Sequence, residues 1–222
     1  EIPACFPGYG TTIGNAIRRV LLSSLEGAAI TSVRIKGVSH EFSAIDGVME
    51  DVVQIILNLK QIRFRTHSNE KMIATLKVKG EGEITAADIK TSSELEIVDE
   101  SQYIATLTDK KSTLEIEFTI NNGIGYVPSD QHPAEERDVN SIVIDAVYTP
   151  VKRVNYNVEN MRVGKRTDYE KVTLEIITDG SITPQEAFDR SVDILVEQFS
   201  ALSAGGAEEK IVEEEAIIAE EE

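Results

Sequence analysis

Two helix-period stripes near opposite ends of the chain constrain its fold most. The first follows a glycine-rich lead-in, Gly8-Tyr9-Gly10-Thr11-Thr12-Ile13-Gly14, and runs to about Leu25. Ile13, Ala16, Ile17, Val20 and Leu21 recur at helical spacing and make one apolar face. Thr11 or Thr12 is the expected N-cap and Gly27 the expected stop. The second stripe begins at Thr183-Pro184-Gln185-Glu186, a capping box with proline at the first helical position. Phe188, Val192, Leu195, Phe199 and Leu202 then follow at alternating spacings of 4 and 3, a heptad seam that Gly205-Gly206 is expected to end. A seam of this kind needs a covering surface. The chain's own sheet is one choice; the other is the matching helices of a second copy, paired across a two-fold axis.

Between the stripes the pattern has a period of two. Met72, Ala74, Leu76 and Val78 alternate with polar neighbours, as do Leu114, Ile116, Phe118 and Ile120 with Glu115 and Glu117 outward. Val33 and Ile35 do the same, and shorter strands fit 94–98, 103–107 and 142–147. One helix is expected over 47–60, with Val52, Ile55, Ile56 and Leu59 inward and Glu50 and Asp51 in its first turn. The polar stretch 129–140 is expected to be a mobile loop. Two more strands, 151–158 and 172–178, joined by a polar segment, precede the second helix. The fold class that follows is α+β. A discontinuous two-helix and sheet domain, 1–26 with 151–206, carries an inserted β-rich domain over 27–150. An acidic tail over 207–222 is expected to be disordered.

Charge and composition exclude several functions. The net charge is −17, of which eight glutamates and one lysine in 208–222 supply −7. So acidic a surface repels phosphate backbones, so direct nucleic-acid binding is not expected. No apolar run approaches the ~20 residues that span a membrane. No secretory pattern opens the chain, so a cytoplasmic location is expected. Cys5 is the single cysteine, which excludes an internal disulfide and fits a reducing compartment. His40, His67 and His132 are scattered, without zinc-ligand spacing, so no metal or cofactor is expected. In the glycine-rich lead-in the third glycine falls one residue late for a dinucleotide fingerprint, and no GK[ST] signature follows. Asp138 and Asp145 read as surface charges, and no nucleophile elbow is present. The sequence offers no catalytic site.

Two surface patterns remain. Asn15, Arg18, Arg19 and Leu22 share the face opposite the first apolar stripe. Arginines flanking an exposed leucine suit a docking face, although charged helix faces are also commonly just solvated. Arg162-Val163-Gly164-Lys165-Arg166 is a basic patch in an acidic chain, either a solvated turn or a dock for an acidic surface.

The stretch GYGTTIGNAIRRVLLSSLEGAAITSVRIKGVSHEFS (8–43), with GVMEDVVQIILNLK (47–60), TAADI (85–89), GYVP (125–128), YNVENMRVGKRTDYEKVTLEI (156–176) and GSITPQEAFDRSVDILVEQFSAL (180–202), resembles the amino-terminal domain of bacterial RNA polymerase alpha subunits. The match covers most of the chain in order. The resemblance implies a homodimer formed through the two end helices, with Ile13, Ile17 and Leu21 meeting Phe188, Val192, Leu195, Phe199 and Leu202. It implies that the dimer is the assembly platform for the beta and beta-prime subunits, which hold the catalytic residues. By the same resemblance Asn15, Arg18, Arg19 and Leu22 face beta, while Arg162 and Arg166 face beta-prime. The family places a partly stranded arm ahead of the glycine-rich lead-in and a DNA-binding domain beyond the acidic tail. A non-catalytic dimeric scaffold in another complex, such as a plastid-type relative, is the alternative.

Overall fold

The computed structural model describes residues 1–38, 40–66, 68, 70–132 and 141–220, with side chains described as far as Leu202. In chain order its elements are β1 (Ile2–Cys5), α1 (Tyr9–Ser23), β2 (Glu26–Ile35), α2 (Val52–Leu59), β3 (Phe64–Thr66), β4 (Met72–Lys79), β5 (Gly82–Thr85), β6 (Ile89–Lys90), β7 (Leu95–Ile97), β8 (Tyr103–Leu107), β9 (Thr113–Ile124), β10 (Tyr126–Val127), β11 (Ile142–Val143), β12 (Ala146–Val147), β13 (Val151–Val163), β14 (Arg166–Thr178) and α3 (Pro184–Glu220). The chain is mixed α+β, as its periodicities imply, and divides into two compact units. One comprises 1–22, 153–176 and 184–222; the other comprises 23–152 and 177–183.

The inserted unit is built on a seven-stranded sheet in the order β6-β4-β9-β2-β3-β7, with β11 paired to β2. Its centre follows from alternation. Met72, Ala74 and Leu76 on β4 lie opposite Ile120, Phe118 and Ile116 on β9, and all six are buried. Val33 and Ile35 on β2 meet the same Phe118 and Ile116 from the other side. The intervening residues turn outward and form a ladder of charge. Arg34 meets Glu117 at 3.6 Å, and Glu115 is held between Lys36 at 2.8 Å and Lys77 at 2.5 Å. Opposite charges on adjacent strands favour this register.

Helix α2 closes the core with Val52, Ile55, Ile56 and Leu59. It starts later than the sequence pattern implies. Asp51 is its N-cap, accepting from the Gln54 amide at 2.7 Å, rather than a first-turn residue. Glu50 lies outside the helix and is committed elsewhere: its carboxylate accepts from the Tyr103 hydroxyl and, at 2.8 Å, from the Thr106 amide. The buried Asn58 donates to the Ile104 carbonyl at 2.8 Å, which satisfies a polar group that would otherwise be costly inside. The turn 179–181 belongs to this unit because two arginines hold it. Arg65 donates to the carbonyls of Ser181 at 2.8 Å and Gly180 at 3.2 Å, and Arg63 pairs with Asp179 at 3.6 Å.

The discontinuous unit has a three-stranded sheet in the order β1-β14-β13. β13 and β14 form a longer hairpin than expected, because the polar segment 159–170 is itself strand apart from its turn. Gly164 has φ +63° at the first central position of that turn, where a two-residue hairpin loop demands glycine. Helix α1 starts at Tyr9, ahead of both threonines expected to cap it. The cap comes from the sheet instead. Glu170 on β14 accepts from the amides of Gly8 at 3.0 Å and Gly10 at 2.7 Å, placing negative charge at a helix N-terminus. α1 ends at Ser23, and Gly27 lies inside β2, where any Cβ would overlap the Tyr148 carbonyl.

The expected end of α3 at Gly205-Gly206 is overturned: the helix continues to Glu220. Alanine, glutamate, lysine and isoleucine dominate 207–220, and their helical preference outweighs the cost of ~1 kcal/mol per internal glycine. The loop expected over 129–140 begins as a short helical turn at Ser129–Gln131, and its positions 133–140 lie outside the described residues.

Candidate assembly surfaces

Helix α1 is built with two faces. The inner row is Gly10, Gly14, Ile17 and Leu21, all buried. Gly10 and Gly14 let the helix lie directly on the hairpin: a Cβ at Gly14 would stand 2.6 Å from the Tyr156 ring, and one at Gly10 would stand 2.8 Å from a Val158 methyl. The lead-in glycines therefore serve close packing. The sequence pattern placed Ile13, Ala16 and Val20 on the inner face as well, but these are only half-buried, because the glycine row sets the contact line.

The opposite face carries Asn15, Arg18, Arg19 and Leu22, all exposed. Their spacing of 3, 1 and 3 residues keeps them in one stripe along the helix. The four residues thus share one exposed face.

The eight residues expected to form a seam between copies divide into three groups. Ile17 and Leu21 are covered within the chain, at 4% and 0% exposure, so they are not free to form a surface for a second copy. Ile13, Phe188, Val192 and Leu195 are half-buried. Phe199 and Leu202 are open, at 65% and 77%, and Val196 beside them is exposed as well. The cause lies in α3, whose buried row is Ala187 and Ser191 rather than the heptad residues. Ser191 satisfies its hydroxyl on the Phe188 carbonyl at 2.7 Å. Phe188 and Val192 follow that row by one residue each, so seam and buried row stand about 100° apart around the helix. Sequence reasoning overlooked this row because alanine and serine carry little hydrophobic signal.

Arg162 and Arg166 flank the hairpin turn and are exposed. Arg162 donates to the Gly164 carbonyl at 2.9 Å. Arg166 forks onto Asp168 with bonds of 3.0 and 2.7 Å and lies 5.1 Å from the Tyr169 ring centre. The pairing raises the Arg166 pKa and lowers that of Asp168, chiefly through the shared hydrogen bonds. Tyr169 in turn lies 5.5 Å from the ring of the exposed Phe6.

Among the described residues no cluster of three or more histidine, cysteine, aspartate or glutamate side chains is arranged to hold a metal ion. Nor is any helix there long and apolar enough to cross a membrane.

Residues 33–149 match the family described as the RNA polymerase Rpb3/RpoA insert domain. The DNA-directed RNA polymerase subunit alpha of Symbiobacterium thermophilum is 48% identical over 210 residues, covering 93% of this chain and 66% of that protein. The subunit of the same name from Syntrophomonas wolfei is 51% identical over 191 residues, covering 86% and 60%. That of Moorella thermoacetica is 45% identical over 215 residues, covering 97% and 68%. The chain thus spans between 60% and 68% of the length of these relatives. Identity at this level, sustained across both units, means that the chain belongs to the DNA-directed RNA polymerase alpha-subunit family.

Proposed function

We propose that this chain is the dimerising and assembling part of an RNA polymerase alpha subunit. Two copies pair through the open flank of α3. The pair then receives the beta subunit on the Asn15–Leu22 stripe of α1 and beta-prime at the 162–166 turn. Nucleotidyl transfer belongs to the assembled polymerase, with its catalytic residues on the large subunits. The contribution of this chain is buried interface.

The two-faced build of α1 carries the reading. One row of the helix is fixed to its own hairpin, while Asn15, Arg18, Arg19 and Leu22 stand exposed together. An arginine pair beside an open leucine has the composition of an interface centre, and guanidinium forks suit partner carboxylates and carbonyls. Phe199 and Leu202 support pairing through α3, since covering a side chain of that size stabilises by roughly 1.5–3 kcal/mol. At the hairpin, Arg166 is already engaged by Asp168, so an acidic partner group exchanges with an existing bond there.

Replacing Arg18 and Arg19 together by alanine tests the proposal. The variant is expected to dimerise and melt as the wild type does, yet to retain beta about thirtyfold more weakly, the equivalent of ~2 kcal/mol at an interface centre. Unfolding of the variant would make the arginines structural. Normal retention of beta would place the docking face elsewhere.

A further inference from the structure

The inserted unit carries a sheet face whose charge runs against the rest of the chain. On β4 the residues that alternate with the buried Met72, Ala74 and Leu76 turn outward: Ile73, Thr75, Lys77 and Lys79, all exposed. Lys90 on β6 stands beside Thr75, and Glu117 on β9 and then Arg34 on β2 continue that row across the sheet. In the next row Lys77, Glu115 and Lys36 lie side by side. The face thus holds five cations, Arg34, Lys36, Lys77, Lys79 and Lys90, and two carboxylates, Glu115 and Glu117. Its formal charge is +3 in a chain of −17, so the remainder carries −20.

The two carboxylates do not use up the cations. Glu117 answers Arg34, and Glu115 is shared by Lys36 and Lys77. Lys79 and Lys90 are exposed and make no ion pair among the described residues. Glu81 and Asp88 lie two residues from them in sequence, and Asp88 is committed to the Thr85 amide at 3.1 Å. The positive excess therefore stands on the β4 and β6 flank, with Ile73, 56% exposed, in the same outward row. An antiparallel sheet commonly leaves one face to water. Here that face opposes the sign of the whole chain, the condition that steers an acidic partner to one place. A second copy would bring the same lysines face to face in a two-fold contact. Nucleic acid would lay closely spaced phosphates over Glu115 and Glu117 and against an acidic chain, and both repel it. A protein segment can set its carboxylates against the lysines alone and an apolar side chain over Ile73.

We infer that the outward face of β4 and β6, at Ile73, Lys77, Lys79 and Lys90, docks an acidic segment of another protein chain. None of these residues belongs to the α1 stripe, the α3 flank or the 162–166 turn, so the inference does not depend on the assembly surfaces proposed above.

A photo-crosslinking residue placed at position 75 of the full chain, irradiated in cells and mapped by peptide sequencing of the adduct, tests this. Ala87, exposed on the short helical turn 86–88, is the control position. The adduct at 75 is expected to exceed that at 87 by about tenfold and to map to a segment rich in aspartate or glutamate. Lys79→Glu with Lys90→Glu should cut its yield about tenfold, since like charges across an interface suppress binding, while the melting temperature stays put. Glu115→Gln should act the other way and raise the yield, a gain that a damaged fold would not give. A yield at 75 no higher than at 87, an adduct to nucleic acid, to a basic segment or to this chain itself, or indifference to the lysine reversals would each overturn the inference. The lysines would then serve only to guard the sheet against pairing with other strands.

Discussion

In the inserted unit Phe64, Leu76, Ile104, Phe118 and Ile120 are at most 2% exposed, and β4, β9 and β2 present their apolar residues to one another in register. In the discontinuous unit the buried apolar side chains, among the described residues, are Cys5, Ile17, Leu21, Val154, Val172 and Ala187. Phe6, Tyr9, Val196, Phe199 and Leu202 lie open there. One unit has a large closed core of its own, although Phe42, Met49, Ile73 and Tyr126 stay open on its surface. The other has a helix pressed onto a hairpin through glycines, and several of its largest side chains are uncovered. A small sheet and two helices bury too little to stand securely alone. The difference teaches where each unit finds stability: the first in its own core, whereas the second leaves apolar side chains that the proposed pairing through α3 would cover.

If that contrast is right, the largest stability loss comes from the inserted unit. Phe118→Ala should cost ~3–5 kcal/mol by denaturant unfolding, since a fully buried aromatic leaves a cavity that the sheet cannot fill. A cost below ~1 kcal/mol, the level of an ordinary exposed site, would mean that this core is not closed.

A smaller loss is expected at the contact between α1 and its hairpin. Gly14→Ala places a methyl against the Tyr156 ring and should destabilise by ~1–3 kcal/mol, with Tyr156→Val in the same chain recovering part of it. Thermal melts of the single and double variants check this, and additive losses would show that the two residues do not share a contact.

The smallest effect belongs to the charged ladder. Hydrogen bonds from Lys36 and Lys77 hold the Glu115 carboxyl down at about 2, against an ordinary 4.5. A depressed carboxyl contributes stability that is present above 4.5 and lost as pH falls towards 2. The urea midpoints of wild type and Glu115→Gln should therefore differ slightly near neutral pH and converge over that acid window. Because the group is partly exposed and screened by solvent, the difference is slight even at its largest.

The fold was legible where burial imposes a period. β4 and β9 were readable from alternation, and the start of α3 from Thr183-Pro184. The hairpin beyond Val158 was not, since Glu159, Asn160, Arg162, Thr167 and Asp168 are exposed and carry no apolar period. The cap of α1 was not either. Glu170 reaches Gly8 across more than 160 residues of sequence, and a threonine nearby looked sufficient. For the candidate surfaces, the stripe from Asn15 to Leu22 could be read from helical geometry alone. The division of the seam could not, because Ala187 and Ser191 win the buried row through small size, which hydrophobicity does not record.

Sedimentation of the wild-type chain at micromolar concentration, beside a Phe199→Asp, Leu202→Asp variant, tests the central contrast most directly. The wild type should sediment as a dimer. The variant should be a folded monomer whose inserted unit unfolds at an unchanged denaturant midpoint, because both positions are exposed within the single chain. A monomeric wild type, or a variant that remains a dimer, would contradict the view that the discontinuous unit is completed by a second copy through α3.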